Sequence, residues 1–316
     1  MGVSTTRSNE PTVTDPVLID FATEVGPDGP VAVVGGGTAG PVGGAIDPAA
    51  RIVHAPVGIV AIQPDELTVT VRAGTTVAAL QDALGEVGQF VVLPSLGPAS
   101  TVGGALALGW SDISALGYGP VRDSVLRIRY VDAWGRIVST GGPTVKNVSG
   151  FDLCRLLVGS LGTIGLMGEV ILRTRPRPGV TRWFTGSADA RETWRRISPL
   201  RPTTLLWNGD TVWARLDGHH EDVAAATTVL AELGVDREVA GPPERPPHRR
   251  SLAPSALWSV PSIWPGEWLA ELGTGIVHAA SPPATTPLSP EVLALNRTIK
   301  AHFDPTGRLA PGRRPW

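Results

Sequence analysis

Four glycines recur at every third position near the middle of this chain, and their spacing constrains the fold more than any other feature of the sequence. They are Gly159, Gly162, Gly165 and Gly168, within the stretch 145–178. A residue without a Cβ lets another backbone or a ligand approach closely, and it adopts positive φ at little cost. The spacing therefore predicts that backbone, and not side chains, faces whatever packs against this segment.

A helix is predicted before these glycines and a strand after them. Ser149 and Asp152 have the spacing of a capping box, and the apolar residues between 153 and 158 fit one short buried helix. The run LMGEVILRTRP, at 166–176, predicts a strand that is closed by proline. The helix, the glycines and the strand together predict a unit that closes over a ligand.

Charge and composition exclude several kinds of partner. The net charge is −2, which leaves no electrostatic footprint for nucleic acid or anionic lipid. No run approaches the ~18 apolar residues of a membrane span, and residues 1–15 lack the apolar core of a signal peptide. The single cysteine, Cys154, cannot form an internal disulfide. We therefore expect a cytoplasmic protein without a membrane span, in which residues 1–15 form a disordered leader.

Two glycine loops are candidates for binding phosphate. A β-branched run at 31–34 ends in the loop 35–38, whose backbone N–H groups can converge on phosphate oxygens. Its spacing matches a dinucleotide fingerprint, but Pro41 excludes the helix which that fingerprint requires. The second loop, 95–104, precedes an apolar helix whose N-terminus would add to anion binding. Two loops without lysine or arginine favour a dinucleotide over a triphosphate, although each loop could simply turn the chain.

The elements between and after these loops follow ordinary patterns. Alternation predicts a strand at 67–74, apolar spacing predicts a helix from Val77, and FVVLP at 90–94 predicts another strand. Residues 126–140 predict a hairpin. The Arg-Asp pair at 122–123, just before it, could pin a ligand loop or form a surface ion pair.

The composition changes at residue 181, after which eight of the ten tryptophans occur. We predict three parts: a ligand-binding domain at 1–180, a cap at 181–289, and a C-terminal helix and tail at 290–316. Alternating strands and helices around an Asn208-Gly209 turn favour a ferredoxin-like α/β cap. A proline-rich linker at 241–250 is expected to be exposed, and the last cap strands are expected near 256–260 and 274–278.

Histidines give no clear metal site. His219 and His220 are adjacent at a helix start and point in different directions, and the chain has no H-E-x-x-H motif. His278 ends a predicted strand of the cap. It could act as an acid or base, or it could be a structural histidine with satisfied hydrogen bonds.

Several of these segments together resemble the FAD-binding subunit of glycolate oxidase, within the vanillyl-alcohol oxidase type of FAD-binding flavoproteins. The resemblance rests on GGGT at 35–38, STVGGALA at 100–107, YGPVRD at 118–123 and, above all, VKNVSGFDLCRLLVGSLGTIG at 145–165. FDPTGRLAPGR at 303–313 is similar to the tail of that superfamily. The resemblance implies an α+β fold, with a two-lobed PCMH-type FAD domain and a small cap. The residues that it implies for FAD are Gly35, Gly36, Gly37, Thr38, Pro94, Ser100, Thr101, Gly103, Gly104, Ala107, Gly119, Asp123, Gly150, Gly165 and Val170.

The resemblance also implies hydride transfer from a small 2-hydroxy acid, such as glycolate or lactate, to FAD. Because the loop 35–39 lacks the histidine that binds flavin covalently in many relatives, we expect non-covalent FAD. The reaction needs a cation for the carboxylate and a base for the hydroxyl proton. Lys146 is the predicted cation, unless it faces solvent, and Tyr118 is predicted to hydrogen-bond the substrate. Phe151, Trp110-Ser111 and Ala310 depart from the family pattern, and each departure removes a polar contact.

Two other functions stay open. The chain could be an electron-transfer subunit that binds FAD, docks on a second flavoprotein or iron–sulfur subunit, and has no substrate site of its own. Its tryptophan-rich cap would suit this role, because aromatic residues are enriched at interfaces. The chain could also be an NADPH-dependent reductase of an enolpyruvyl UDP-sugar. Such reductases have similar glycine loops, but they lack a stretch like 145–153.

Overall fold

The fold contains two large antiparallel sheets that follow one another along the chain, and two small sheets of two strands each. A computed structural model of the protein describes residues 15–40, 42–142, 152–282 and 288–315. The first part contains α1 (Pro16–Val25), β1 (Val31–Val33), β2 (Arg51–Val53), β3 (Ile59–Gln63), β4 (Thr68–Arg72), α2 (Val77–Glu86), β5 (Gln89–Phe90), α3 (Val102–Leu108), α4 (Ala115–Tyr118), β6 (Val125–Val131), β7 (Ile137–Gly141), α5 (Leu153–Leu157), β8 (Leu166–Arg173) and β9 (Arg175–Pro176). The second part contains β10 (Val180–Ser187), α6 (Ala190–Ile197), β11 (Thr204–Trp207), β12 (Thr211–Gly218), α7 (His220–Glu232), β13 (Arg237–Val239), β14 (His248–Ser251), α8 (Val260–Ile263), β15 (Trp268–Glu271), β16 (Ile276–Ala279) and α9 (Pro290–Phe303).

The first sheet has five strands in the order β3-β4-β8-β6-β7. Val69 and Val71 of β4 are fully buried, because they face α2 and α3 across the main core. Helix α2 begins where its sequence predicts, and the hydroxyl of its N-cap Thr76 accepts a first-turn backbone N–H at 3.2 Å. Helix α1 covers the other face of the sheet, where a Cβ on Gly168 would lie 2.9 Å from Leu18.

The C-terminal tail returns to the first part of the chain. The predicted helix at 290–302 is confirmed as α9. After it, the tail lies beside β1, where the Val31 N–H donates to Arg308 O at 2.9 Å and the Ala310 N–H donates to Val31 O at 2.8 Å. Lys300 Nζ donates to Thr163 O at 2.7 Å. The tail is therefore held by both its backbone and its side chains.

The second sheet has seven strands in the order β13-β10-β12-β11-β15-β16-β14. Helices α6 and α7 pack on one face, where Ile197 and Leu230 are fully buried in the same core as Leu205. On the other face, Leu206 and Leu269 pack with Ile113 of the first part. The second sheet therefore meets the first part through this face.

The second sheet differs from its prediction in four elements. The predicted strand at 256–260 is wrong, because these residues lie in the 3-10 helix Pro254–Ser259 and in α8, and a proline in the first turn favours helix. Strands β13, β14 and β15 are present in the structure but are not predicted from the sequence. Strand β14 lies in the supposed linker 241–250, and its His-Arg-Arg-Ser sequence has no apolar alternation; pairing with β16 makes it a strand.

Smaller corrections concern the first part. Asp15, assigned to the disordered leader, is the N-cap of α1, and its Oδ2 lies 2.5 Å from an Arg72 nitrogen; residues 1–14 lie outside the described residues. The predicted strand 90–94 is limited to β5, because its partner β9 has two residues. The predicted capping box would make Asp152 the third residue of its helix, but Asp152 is instead the N-cap of α5. The predicted α+β class is confirmed, and none of the described helices is long and apolar enough to cross a membrane.

Candidate functional site

A cavity of about 450 Å³ lies between the first glycine loop and the start of α3. One wall is the backbone of Gly35 and Gly36, and the facing wall contains Thr101. The lining is mostly apolar, and within the described ranges His54 is its one ionisable residue. The His54 ring is held by a hydrogen bond of 2.9 Å between Nδ1 and Val34 O. The cavity therefore offers apolar surface and backbone, with little charge.

Two glycines allow the loops on either side of this cavity to touch. A Cβ on Gly36 would lie 1.7 Å from Ala99 O, and a Cβ on Gly35 would lie 2.4 Å from Thr101 Oγ1. No side chain fits at either distance, so the contact exists only because both residues are glycine. We call the paired loops 35–38 and 97–104 the glycine cradle.

Backbone donors are available on one side of the cradle only. The N–H groups of residues 35–38 donate no hydrogen bond to any other described residue. The first-turn N–H groups of α3, by contrast, donate to Thr75 O at 2.8 Å, Ala73 O at 2.7 Å and Thr101 Oγ1 at 3.1 Å. The expectation that this helix N-terminus adds donors for phosphate is therefore wrong, and the first loop carries the free donors.

The cavity narrows into a neck of about 120 Å³. The neck keeps Gly35, Gly36 and Thr101 in its lining and adds Thr38, Pro94, Ser100 and Arg313. Arg313, in the tail, donates to the carbonyls of Val42 and Gly40, and burial lowers its pKa. A guanidinium thus stands beside the free N–H groups of the first loop.

A third pocket, of about 180 Å³, lies beyond the neck and under the second sheet. It shares Pro94 and Leu96 with the neck. Its other walls are Trp110, Ser111 and Asp112 from the first part, and Arg245, Pro246, Pro247, Arg249, Glu271 and His278 from the second. We call it the cap pocket. The neck is therefore adjacent to the cavity on one side and to the cap pocket on the other.

Polar side chains concentrate in the cap pocket. His278 and Glu271 are buried, and His278 Nε2 lies 2.8 Å from Glu271 Oε1. The Arg249 guanidinium lies 5.1 Å from the centre of the Trp110 ring, and burial lowers the pKa of Arg249. Neither Arg249 nor Glu271 is predicted from the sequence, because the charged residues of β14 and β15 carry no motif. His278 alone is a predicted candidate.

The cradle and neck fit a bound dinucleotide such as FAD. The wide apolar cavity suits one of the two flat ring systems of FAD, and the free N–H groups of 35–38, with Arg313 beside them, suit its diphosphate, so that the second ring system would extend toward the cap pocket. FAD would be held mainly by backbone. Of the residues predicted to bind FAD, the cavity and neck bring together Gly35, Gly36, Gly37, Thr38, Pro94, Ser100, Thr101, Gly103, Gly104, Ala107 and Gly165.

Three other predicted site residues, Gly119, Asp123 and Val170, line neither the cavity nor the neck. Val170 of β8 is fully buried in the main core, away from the cavity. Asp123 Oδ1 accepts a hydrogen bond from Arg155 at 3.2 Å. Lys146 and Gly150 lie outside the described residues.

Tyr118 connects the two parts of the chain and does not line the cavities or the cap pocket. Its hydroxyl donates to Asp217 Oδ2 of β12 at 2.7 Å. The Arg175 guanidinium lies 5.3 Å from the centre of its ring. Burial raises the pKa of Tyr118, and the hydrogen bond to Asp217 raises it further. The Tyr118 hydroxyl is therefore engaged in a contact between the two parts of the chain, and its predicted contact with substrate stays a prediction.

The spacing of the four recurring glycines predicts that they form one backbone wall, but in the structure they do not. Gly162 and Gly165 line the cavity. Gly168 is skipped in the pairing of β6 with β8 and faces α1. Gly159 packs against Gly109, and a Cβ added to Gly109 would lie 2.6 Å from Gly159 Cα. Each glycine permits a close contact, but with a different neighbour.

Comparisons with known proteins agree with this site. A family model described as FAD binding domain matches residues 20–141. Glycolate oxidase subunit GlcE of Escherichia coli (strain K12) is 30% identical over 298 residues, which cover 81% of this chain and 84% of that protein. A D-lactate dehydrogenase of Archaeoglobus fulgidus is 36% identical over 150 residues, which cover 47% of this chain and 34% of that protein.

Solved structures share the fold at low sequence identity. An alkyldihydroxyacetonephosphate synthase has a TM-score of 0.64 at 13% identity, and the match covers 93% of this chain and 73% of that chain. A p-cresol methylhydroxylase has a TM-score of 0.51 at 15% identity, covering 64% of this chain and 51% of that chain. The shared fold, the cradle and the extended identity with GlcE lead to one conclusion: this chain belongs to the glycolate oxidase family of FAD-binding proteins that includes GlcE, and its cofactor is FAD.

Proposed function

We propose that the chain is an FAD-dependent oxidoreductase that converts a small 2-hydroxy acid, such as glycolate or lactate, into the 2-oxo acid. The observation that carries this proposal is that the cap pocket is adjacent to the neck, because Pro94 and Leu96 line both of them. A cofactor held in the cradle would be reached by a small polar molecule in the pocket. FAD, when bound, supplies a two-electron acceptor.

The names of the similar proteins support this substrate class. GlcE is a glycolate oxidase subunit, and the matching protein of Archaeoglobus fulgidus is a D-lactate dehydrogenase. We propose that the chain has three parts: residues 1–180 form the FAD-binding domain, residues 181–289 form the cap, and residues 290–316 return to the FAD domain. The tail residue Arg313 would then contact the cofactor from the last of these parts.

Anaerobic reduction of the bound flavin tests the oxidoreductase. The purified holoprotein is mixed with excess glycolate, D-lactate, L-lactate or 2-hydroxyglutarate, and absorbance near the flavin maximum is followed. We expect at least one of these acids to bleach the flavin in a single exponential phase. If none bleaches it while dithionite does, the proposal fails.

A second candidate function is that of a subunit within a larger oxidase. The similarity to GlcE supports it, because the match spans 84% of a protein that is named as a subunit. In this case the partner would be a second flavoprotein or an iron–sulfur subunit. Bleaching by a 2-hydroxy acid only after such a partner is added would favour the subunit, whereas bleaching of the chain alone would favour the enzyme.

We also propose that FAD is bound without a covalent link. The first loop, Gly35–Gly36–Gly37–Thr38–Ala39, offers no histidine, cysteine or tyrosine. Precipitation with acid should release all of the yellow colour into the supernatant. Colour that stays with the precipitated protein would contradict this proposal and would direct attention to His54, which lines the cavity.

A further inference from the structure

We propose that the cap pocket is the site of the acid itself, with Arg249 binding its carboxylate, His278 accepting its hydroxyl proton and Glu271 positioning His278. This inference rests on the proposed function and assigns residues to it. None of the three residues belongs to the segments that carry the family resemblance.

The sheet places the three side chains on one face. Strands β15, β16 and β14 are neighbours, and Arg249 lies directly opposite His278 in the antiparallel pair β14–β16. Directly paired residues project to the same side of a sheet. On β15, Leu269 lies opposite His278, and Glu271 is two residues further along, so it shares this face. The face is the one that meets the first part, because Leu269 packs with Ile113 there.

Arg249 is available for an anion. It is half-buried against Trp110, and it forms no hydrogen bond or ion pair with any other described residue. The arginines of the first sheet differ, since Arg72, Arg127 and Arg129 all contact the Glu169 carboxylate. The Arg249 guanidinium interacts electrostatically with the Glu271 carboxylate but forms no salt bridge with it. Its N–H groups can therefore bind a carboxylate from solution with two parallel hydrogen bonds.

The buried pair beside Arg249 suits proton transfer. A neutral His278 that donates its Nε2–H to Glu271 Oε1 keeps a lone pair on Nδ1, so the ring can accept a proton there. Glu271 is itself held, because its Oε2 accepts a hydrogen bond from Thr274 Oγ1 at 3.3 Å. The charged groups that face His278 are Glu271 and Arg249 from the neighbouring strands, with Asp112 and Arg245 on the remaining walls.

The size of the pocket favours a short acid. A volume of about 180 Å³ is less than half that of the main cavity and has room for a two- or three-carbon acid. Pro246 and Pro247 contribute rigid, apolar rings to its lining. We therefore expect two- and three-carbon acids to be preferred over 2-hydroxyglutarate.

The proposed step removes one proton and one hydride from the acid. The hydroxyl proton of the acid passes to His278 Nδ1, and the hydrogen on C2 leaves with both bonding electrons and is accepted by FAD. The C2–O bond becomes a carbonyl, so the acid is oxidised by two electrons and FAD is reduced by two. Arg249 keeps the carboxylate in place throughout and changes no bond.

The first test measures binding without turnover. Oxalate, which carries the carboxylate but cannot be oxidised at a C–H bond, is titrated calorimetrically into flavin-loaded protein. We expect Arg249→Met to weaken oxalate binding about 10–100-fold, as loss of a bidentate ion pair should. Arg250→Met is the matched control, since it removes the same charge from the next residue of β14, whose side chain lies on the opposite face. It should change the dissociation constant less than about 2-fold.

The second test separates binding from chemistry. His278→Asn should bind oxalate within about 3-fold of the unmodified protein but slow flavin reduction about 10²–10⁴-fold, as removal of a general base does. Glu271→Gln should slow reduction while keeping oxalate affinity and flavin content, which a merely structural role would not predict. Unchanged reduction rates in both variants would overturn the assignment.

The outcomes distinguish this inference from the proposed function. If an acid bleaches the flavin of the unmodified protein, and Arg249→Met has the same oxalate affinity and the same rate of flavin reduction, the proposed function stands and the pocket assignment is wrong. If no acid bleaches the flavin but oxalate binds and Arg249→Met weakens it, the carboxylate site stands and the oxidase function falls. If oxalate does not bind and no acid bleaches the flavin, both are wrong.

Discussion

Gly36 is the position at which the FAD site has the least room. Because an added Cβ would lie 1.7 Å from a backbone oxygen, Gly36→Ala must push the two loops of the cradle apart. Overpacking of this kind costs about 1–3 kcal/mol, and we expect FAD affinity to fall about 10–100-fold. Titration of the apoprotein with FAD, followed by flavin fluorescence, measures the effect. The control is Gly241→Ala, where a Cβ meets nothing within 4 Å; equal affinity in the two variants would contradict the prediction.

At the scale of single residues, the sequence predicts backbone sites better than side-chain sites. Gly35, Gly36 and Thr101 are recognisable because glycine and a capping hydroxyl have few other uses in such a pattern. Arg249 has no such signature, since a lone arginine in a charged, proline-rich segment is usually a solvated residue. Its position depends on the strand that pairs with it.

One arginine of the tail binds four carbonyls that belong to three other segments of the chain. Arg308, which is 6% exposed, donates to the carbonyls of Gly29 at 2.8 Å, Ala133 at 3.2 Å, Val25 at 2.9 Å and Asp28 at 3.1 Å. These carbonyls belong to the end of α1, the loop before β1 and the turn between β6 and β7.

We expect Arg308→Lys to lower the free energy of unfolding by about 2–3 kcal/mol. Lysine cannot satisfy all four carbonyls, and buried acceptors left without a donor cost about 1–3 kcal/mol each. Urea denaturation measures the change. The control is Arg136→Lys, since the Arg136 side chain is 67% exposed and its pair with Asp132 should be worth less than about 1 kcal/mol. Similar losses in both variants would show that the tail is not held in this way.

At the scale of elements, the predictions succeed where the pattern is local. Strand β4 and helix α2 carry their own period and cap, so 67–74 and the helix from Val77 are found correctly. Strands β13 and β14 are not found because partners elsewhere in the sheet define them, and Val239 is the one apolar residue in the two strands. The predicted strand near 256 fails because prolines shift an apolar run into helical turns.

The two halves of the molecule are joined by a contact that depends on pH. The pKa of Tyr118 is raised by burial and by its hydrogen bond to the Asp217 carboxylate. Because the folded pKa lies above the unfolded value of about 10, the neutral phenol stabilises the fold fully below pH 10, and this stabilisation is lost as pH rises through the folded pKa.

We therefore expect Tyr118→Phe to be less stable than the unmodified protein by about 1–2 kcal/mol near pH 8, with a difference that narrows above about pH 10. Urea denaturation at both pH values gives the comparison. Asp217 keeps its hydrogen bonds from Thr181 at 2.8 Å and Arg215 at 3.0 Å, so the variant should still fold. A stability difference that is constant with pH would contradict the assignment of this contact.

At the scale of the whole molecule, the sequence predicts which cofactor binds but not where the substrate would be held. The cradle is assembled from two short segments of the first part, and each is recognisable from its own sequence. The cap pocket is assembled from the first part and from three strands of the second sheet, whose order in space differs from their order in the chain. Such a site appears only once the sheet has formed.

The free donors of the first loop are main-chain N–H groups, which every amino acid except proline carries. A substitution at Thr38 by any residue except proline would therefore alter the side chain and keep this N–H donor, whereas the proposed acid site in the cap pocket would depend on the identity of each side chain. If both proposals hold, single substitutions in the second sheet would change the substrate while the coenzyme stays the same. Natural variation within the family should accordingly be concentrated under the cap and sparse at the cradle glycines.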